Sequence, residues 1–234
     1  MGGRDRAEPT LGLAGMRLTH LGHSCVLIEM ADARILTDPG VFTPDLTGIT
    51  GLDTVIITHQ HPDHFDQARL PALMKANPHA RLISDSESLM VLGGLGLDAT
   101  GHDASTAKIG EVHVTPIGKQ HALINDAVPR VANVGVRLEA ENEPTIYHPG
   151  DTLDEDPGRV DIVLFPLNAP WQLARDMAAF LKRINAPTAV PIHDGLLRKN
   201  GRDIYLDHAR SFGNRSTEIL DLAGEGEYVV RQDL

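Results

Sequence analysis

Val55-Ile56-Ile57-Thr58-His59-Gln60-His61-Pro62-Asp63-His64-Phe65-Asp66 is the stretch that decides how this chain folds. It opens as an apolar, β-branched run and then places four ligand-capable side chains between residues 59 and 64. Alternate side chains at a strand end share one side, so His59 and His61 can present imidazoles to a common point. Asp63 and His64, beyond Pro62, can turn toward a second point nearby. Imidazoles with a carboxylate form the nitrogen and oxygen set that divalent zinc, manganese or iron accepts. A polar surface loop explains one histidine well. It explains poorly three histidines and an aspartate packed directly after an apolar strand, where polar groups without partners cost stability.

Working outward, strands are expected at 16–20, 24–30, 33–37 and 54–58, with short turns such as Leu21-Gly22-His23 between them, the spacing of an antiparallel meander. Helices are expected at 67–76, stopped by Asn77-Pro78, and at 87–92, ended by Gly93-Gly94, with a strand at 81–84 between them. The second half repeats the rhythm: strands at 108–116, 131–139, 145–148, 161–166 and 188–192, a helix at 171–184 and a last strand at 227–231. Strands in both halves, each followed by helices able to cover one face, predict an α+β fold, a four-layer αββα sandwich. Residues 16–234 read as one domain and residues 1–15 as a flexible arm or extension.

The bulk properties narrow the class. With 234 residues, 41% of them hydrophobic, the chain buries a proper core without a disulfide framework. Its one cysteine, Cys25, lies in the apolar run Cys25-Val26-Leu27-Ile28 and reads as a small buried strand residue, so a reducing, cytoplasmic setting is expected. Neither a secretion signal nor an apolar run of about 20 residues is seen, which predicts an unexported protein without a membrane span. Against 32 acidic residues stand 21 basic ones, a net charge of −11, which disfavours sequence-independent nucleic-acid binding.

His59-Gln60-His61-Pro62-Asp63-His64 resembles the signature of the metallo-β-lactamase superfamily, whose fold is the αββα sandwich with metals at one edge of the sheets. The resemblance implies further ligands later in the chain. His121 in Gly118-Lys119-Gln120-His121 matches the histidine that completes the first site, Asp151 in Pro149-Gly150-Asp151 the bridging aspartate, and His193 in Pro191-Ile192-His193 the last histidine. Asp38 matches an aspartate that supports the ligand loop without binding metal. The opening, Leu18 to Glu29 with Ile35-Leu36-Thr37-Asp38-Pro39, is similar to a subgroup of metal-dependent hydrolases related to L-ascorbate-6-phosphate lactonase and N-acyl-phosphatidylethanolamine phospholipase D, where the Gly-His-Ser turn lies beside the cleft. The segment Pro166-Leu167-Asn168-Ala169-Pro170-Trp171 departs from the Pro-Ile-Gly-Gly-like pattern of such relatives, at the place where a substrate pocket is expected.

The resemblance implies two divalent ions, Zn2+ foremost and Mn2+ or Fe as alternatives: one on His59, His61 and His121, the other on Asp63, His64 and His193, with Asp151 shared. A bridging hydroxide would then hydrolyse an ester, lactone or phosphodiester. Asp63, His23 and His148 are the candidates for catalytic roles, the two histidines as donors to a developing oxyanion or leaving group. A pocket left near +1 inside an acidic protein favours a small anionic substrate. Arg198 and Lys199 are candidates for holding it, and a homo-oligomer is compatible with the chain. Alternative readings are a phosphodiesterase or ribonuclease of the tRNA-processing branch and a di-iron redox protein. The acidic balance without a basic arm argues against the former, and a chain too short and cysteine-poor for an added redox module against the latter.

Overall fold

The computed structural model describes residues 15–230, so the arm expected at 1–15, apart from Gly15, and the end of the strand expected at 227–231 lie outside the described residues. Arg17–Gly22 (β1), Cys25–Met30 (β2) and Ala33–Thr37 (β3) pair antiparallel. The β2–β3 turn places Ala31 and Asp32 at φ 44° and 61°, the left-handed pair that matches the twist of a tight hairpin. The meander stops there. Thr54–Ile57 (β4) runs parallel to β3, because the connection 38–53 is long enough to carry the chain back across the sheet.

Leu70–Ala76 (α1) then leads to Arg81–Ser84 (β5), and Ser86–Gly94 (α2) to Thr100–Gly101 (β6), both strands parallel to the one before. Asp85 caps α2 by accepting from the Glu87 and Ser88 backbone N–H groups. The strand expected at 108–116 is a hairpin, Ala107–Ile109 (β7) and Val112–Ile117 (β8), split at Gly110 with φ 56°. Gly135–Glu139 (β9), Ile146–His148 (β10) and Ile162–Pro166 (β11) follow. Ala174–Ile184 (α3), Thr188–Ile192 (β12), Lys199–Phe212 (α4) and Glu218–Ile219 (β13) complete that half, and Glu227–Val229 (β14) returns beside β1. The sheets have the orders β14-β1-β2-β3-β4-β5-β6 and β13-β12-β11-β10-β9-β8-β7.

Strand alternation builds the layers. Ile56 of β4 joins Ile28, Ile35, Val136, Leu164 and Val190 between the sheets. Val55 and Ile57 face the other way, onto Leu70 and Leu73 of α1 and Leu92 of α2. Val163 and Phe165 of β11 pack against Met177, Phe180 and Leu181 of α3 and Leu206 of α4. Three apolar layers between two sheets and their outer helices are the αββα sandwich.

Two helix bounds bear on function. The helix expected from 171 begins only at Ala174, which leaves Trp171 on a loop. Helix α4 falls where no element is expected from the sequence; Leu206 and Ala209, three residues apart, form its buried face, and its Asn200-Gly201 start is a poor helix signal. Among the described residues no helix is long and apolar enough to cross a membrane. The carboxyl ends of parallel strands β3, β4, β10, β11 and β12 share one edge, where Val134 N–H donates to Thr58 O at 2.9 Å and ties the sheets together. Loops leaving that edge converge, as they do in other open α/β sheets.

Candidate metal centre

The loop after β4 is held from below by a buried carboxylate. Asp38, at the end of β3, accepts the Thr58 backbone N–H at 2.8 Å on Oδ1, and the Thr58 hydroxyl at 2.8 Å and His64 Nδ1–H at 2.7 Å on Oδ2. The turn closes with His64 N–H and Phe65 N–H on His61 O at 3.0 and 2.9 Å, and Phe65 is wholly buried. Gly40 is required here: a Cβ would stand 1.7 Å from Asp63 O and 2.0 Å from Asp63 C. The loop can press against β3 only where no side chain intervenes.

The second half supplies the other side. Buried Asn133 donates from Nδ2 to Pro149 O at 3.0 Å and accepts Asp151 N–H on Oδ1 at 2.9 Å, which fixes the Gly150-Asp151 turn. His193 follows β12 at φ 57°, its N–H donated to His23 O at 2.8 Å. His23 and Asp38 also sit at positive φ, 54° and 43°. Such conformations are costly for residues with side chains and persist only where surrounding structure imposes them.

Hydrogen-bond partners fix the imidazole tautomers. His121 Nδ1–H donates to Ala122 O at 2.6 Å and His193 Nδ1–H to Asn168 O at 2.7 Å, and a carbonyl can only accept. His64 Nδ1–H meets the Asp38 carboxylate, and His59 Nδ1–H meets Thr58 Oγ1 at 3.1 Å, whose own proton goes to Asp38. All four rings therefore commit Nδ1 to an outer partner and turn Nε2 inward, the orientation that outer partners impose on metal-binding histidines.

The inward atoms form two groups, with a third, His59, His64 and Asp151, spanning them. Ligand atoms of His59, His61 and His121 lie within 4.8 Å of one another, as do those of Asp63, His64 and His193 together with His23. Asp151 stands between the groups, Oδ2 at 3.3 Å from both His121 Nε2 and His193 Nε2 and Oδ1 at 3.0 Å from His64 Nε2. His59 Nε2 and His61 Nδ1 are 3.1 Å apart, and Asp63 Oδ2 and His193 Nε2 3.6 Å. Two ligands at about 2.0–2.1 Å from one tetrahedral ion stand about 3.3 Å apart, so the spacings suit shared cations. The Nε2 atoms of His64, His121 and His193 and Oδ1 of Asp151 are buried with no hydrogen-bond partner. Leaving such atoms unpaired costs about 1–3 kcal/mol each, which a cation at their common point offsets. The residues fit a metal centre.

The electrostatics divide the histidines: His59 and His61 are lowered by burial, while, against burial, His64 and His193 are drawn upward by the Asp151 carboxylate. Burial, with the charges of His64, His121 and His61, holds His59 well below the usual imidazole range and so neutral; His61 is lowered by burial and His121. Burial opposes charging His64, but the Asp151 and Asp38 carboxylates outweigh it and hold that ring well above the range. Burial would raise the Asp63 carboxyl, yet the His23 hydrogen bond and the charges of His64 and His193 bring it down to about 2. Asp151 lies well below the carboxylate range despite burial, held there by His193 and His64.

His23 and His148 are engaged inward. Gly195 N–H donates to His23 Nδ1 at 3.0 Å, so the His23 proton is on Nε2 and points at Asp63 Oδ2, 3.2 Å away. That makes His23 a donor to Asp63 and not a further ligand, although its ring lies in the second group. Gly150 N–H occupies His148 Nδ1 at 3.0 Å, and His148 Nε2–H meets Ser24 O at 3.1 Å. Lys199 pairs with Asp203 at 2.8 Å on the exposed face of α4.

Sequence reasoning left four contributors without a role. Trp171 Nε1–H donates to Asp151 Oδ2 at 2.8 Å, which its place outside α3 permits. Asn168 acts through its backbone carbonyl, invisible to side-chain motifs. Asn133 breaks the apolar run 131–136, and that break was its only signal. Arg202 of α4 ties Asp194, beside His193, to Asp221 through contacts of 2.7 and 2.6 Å.

Residues 17–193 match the family model described as the beta-lactamase superfamily domain. The chain is 37% identical over 206 residues to Protein Rv0786c of Mycobacterium tuberculosis, covering 88% of this chain and 96% of that protein. To a UPF0173 metal-dependent hydrolase of Methylobacterium nodulans it is 27% identical over 206 residues, covering 77% and 85%. Among solved structures it resembles Igni18, a metallo hydrolase from Ignicoccus hospitalis, with TM-score 0.65 and 19% identity over 92% of this chain and 99% of that one, a likeness of fold.

Proposed function

The chain belongs to the beta-lactamase superfamily and is a metal-dependent hydrolase, and on that premise we propose that it holds two divalent ions and hydrolyses a small ester, lactone or phosphodiester. The observation that carries the reading is the pair of inward-facing groups with Asp151 between them. His59, His61 and His121 would hold one ion, Asp63, His64 and His193 the other, and Asp151 both. Zn2+ suits this nitrogen-rich set best, with Mn2+ or Fe as the alternatives. Bound there, the metal pair supplies Lewis acidity, making hydroxide available near neutral pH and polarising the scissile oxygen.

The protein's own groups position and shield. Asp38 and Thr58 hold the rings of His64 and His59, and His23 Nε2–H holds Asp63 Oδ2. Since both nitrogens of His148 are taken by main chain, its role is to fix the Gly150 turn that carries Asp151. The likeness of the opening to the ascorbate-6-phosphate lactonase branch favours a small anionic substrate, drawn to a metal-bearing pocket in an acidic protein. A single buried thiol, Cys25, suits a reducing compartment, and the cytoplasm is the setting we assign.

Metal analysis of the purified protein should return close to two equivalents per chain, and His59→Ala combined with His61→Ala should empty the first position. A panel of lactones and aryl phosphodiesters should show turnover that a chelator abolishes. One equivalent in the fully loaded protein sinks the paired-ion arrangement, and absence of chelator-sensitive turnover across the panel sinks the substrate class. Cleavage of precursor tRNA in preference to the panel would favour the nuclease reading.

A further inference from the structure

The loop that carries His193 is anchored through side chains that ligate nothing. Its first residue stands at φ 57°, a conformation that persists only where neighbours impose it. Asp194, the next residue, accepts Arg202 Nε–H on Oδ2 at 2.7 Å, and both terminal nitrogens of Arg202 donate to Asp221, each at 2.6 Å. Asp221 is itself fixed: Oδ1 accepts Ala223 N–H at 3.1 Å, and Leu220 N–H beside it donates to Ala189 O of β12 at 2.9 Å. Arg202 sits in the first turn of α4, and Leu197 N–H on Asp194 O at 2.9 Å closes the turn that leads there. A planar arginine fork filled on two sides fixes its partners in direction as well as distance.

The same loop is held from β1. His20 Nε2–H donates to His23 O at 2.8 Å, since a carbonyl can only accept, and that oxygen also receives His193 N–H at 2.8 Å. His20 is buried, and its Nε2 stands 4.0 Å from Asp194 Oδ1. Gly195 N–H then closes on His23 Nδ1, and His23 Nε2–H on Asp63 Oδ2. Each path through this network ends on His193 or Asp63, two residues of the second group. The first group is supported elsewhere, by Thr58, Ala122 O and Arg130. Among the described residues no hydrogen bond or ion pair joins Asp194, Arg202 or Asp221 to His59, His61 or His121.

We propose that Arg202 and Asp221 are positioning residues of the second metal position. Through Asp194 they hold the 193–195 loop in the backbone conformation that aims His193 Nε2, and so set the affinity of that position and not of the first. Both lie beyond residue 193, where the match to the superfamily domain ends. This rests on the two-ion reading of the site. Without the guanidinium, Asp194 and Asp221 lose their shared partner and the loop is free to relax from its strained φ.

The test reads zinc affinity in the full chain with one position disabled at a time, by competition with a chromophoric chelator. His59→Ala combined with His61→Ala keeps the second position. Adding Arg202→Met there should raise the zinc dissociation constant about 10- to 100-fold. His193→Ala keeps the first position, and the same addition should change its constant by less than about threefold. Arg202→Lys, which keeps the cation but not the fork, should lose less than Arg202→Met. Should Arg202→Met fail to fold, Asp221→Asn, which keeps the shape of the side chain, should repeat the selective pattern with a smaller loss. Equal losses in the two backgrounds would make the network a general stabiliser and overturn the proposal, as would an unchanged constant at the second position. A single equivalent of zinc in the unsubstituted chain would remove the two-ion reading and this proposal together, whereas two equivalents with unselective losses would remove the proposal alone.

Discussion

Replacing Asp38 by Asn tests the tautomer logic of the site at one atom. Oδ1 of Asp38 accepts one N–H, and Oδ2 accepts a hydroxyl and His64 Nδ1–H, so every neighbour is a donor. An amide offers one acceptor and one donor. If its oxygen faces Thr58 N–H, its NH2 faces His64 Nδ1–H, and that ring escapes the clash only by moving its proton to Nε2, the atom needed for ligation. If the amide flips, the NH2 opposes the Thr58 N–H. Both residues are fully buried, so water relieves neither arrangement. A hydrogen bond to a charged group contributes about 1.5–3 kcal/mol and an unsatisfied buried partner costs about 1–3. Asp38→Asn should therefore lower stability by about 3–5 kcal/mol in urea unfolding with chelator present. Zinc affinity, measured by competition with a chromophoric chelator, should fall about 10- to 100-fold. Ring-nitrogen NMR should show His64 losing its Nδ1 proton. A folded variant that binds zinc within about threefold of wild type, with the His64 tautomer unchanged, would refute this account of the ligand loop.

Gly40→Ala should push the His61–His64 turn off β3, because the new Cβ falls 1.7 Å from Asp63 O. A loss of about 2–4 kcal/mol and a drop in bound zinc are expected, and normal values for both would show that the two segments part easily. Trp171→Phe keeps an aromatic ring but removes the N–H that anchors Asp151 Oδ2. Zinc affinity should weaken up to about 10-fold. Trp171 is the sole tryptophan, so wild-type emission should change on zinc addition, and unchanged emission would place the indole away from the site. Zinc addition to metal-free protein near pH 7 should release protons. His64 is held well above the imidazole range by Asp151 and Asp38 against the effect of burial, and it must give up its Nε2 proton to ligate. The release should shrink as pH rises through the raised value, and an indicator assay showing no release at neutral pH would contradict the assignment.

The αββα architecture was legible because β4 and β11 are apolar runs and their neighbours alternate or break at recognisable turns. Where the sequence misled, local signals were weak or ambiguous. The 38–53 connection carries no mark that β4 will lie parallel to β3, since strand direction is set by how the chain returns. The Asn200-Gly201 start of helix α4 reads locally as a turn, and a helix read from Trp171 hid the one indole that reaches the site.

The ligand-capable residues themselves were written in the sequence, because side-chain chemistry is local and His59, His61, Asp63 and His64 are neighbours in the chain. What the tertiary structure alone decided is which atom each of them turns inward. A ring's proton goes to whichever partner accepts it, and those partners, Asp38, Ala122 O, Asn168 O and Thr58, are brought up by four different loops. His23 and His148 read on paper as donors to the substrate, and the structure turns both to internal partners, with main-chain N–H groups of Gly195 and Gly150 on their Nδ1 atoms. Residue type sets what an imidazole is able to do, and the packing around it sets which nitrogen does it.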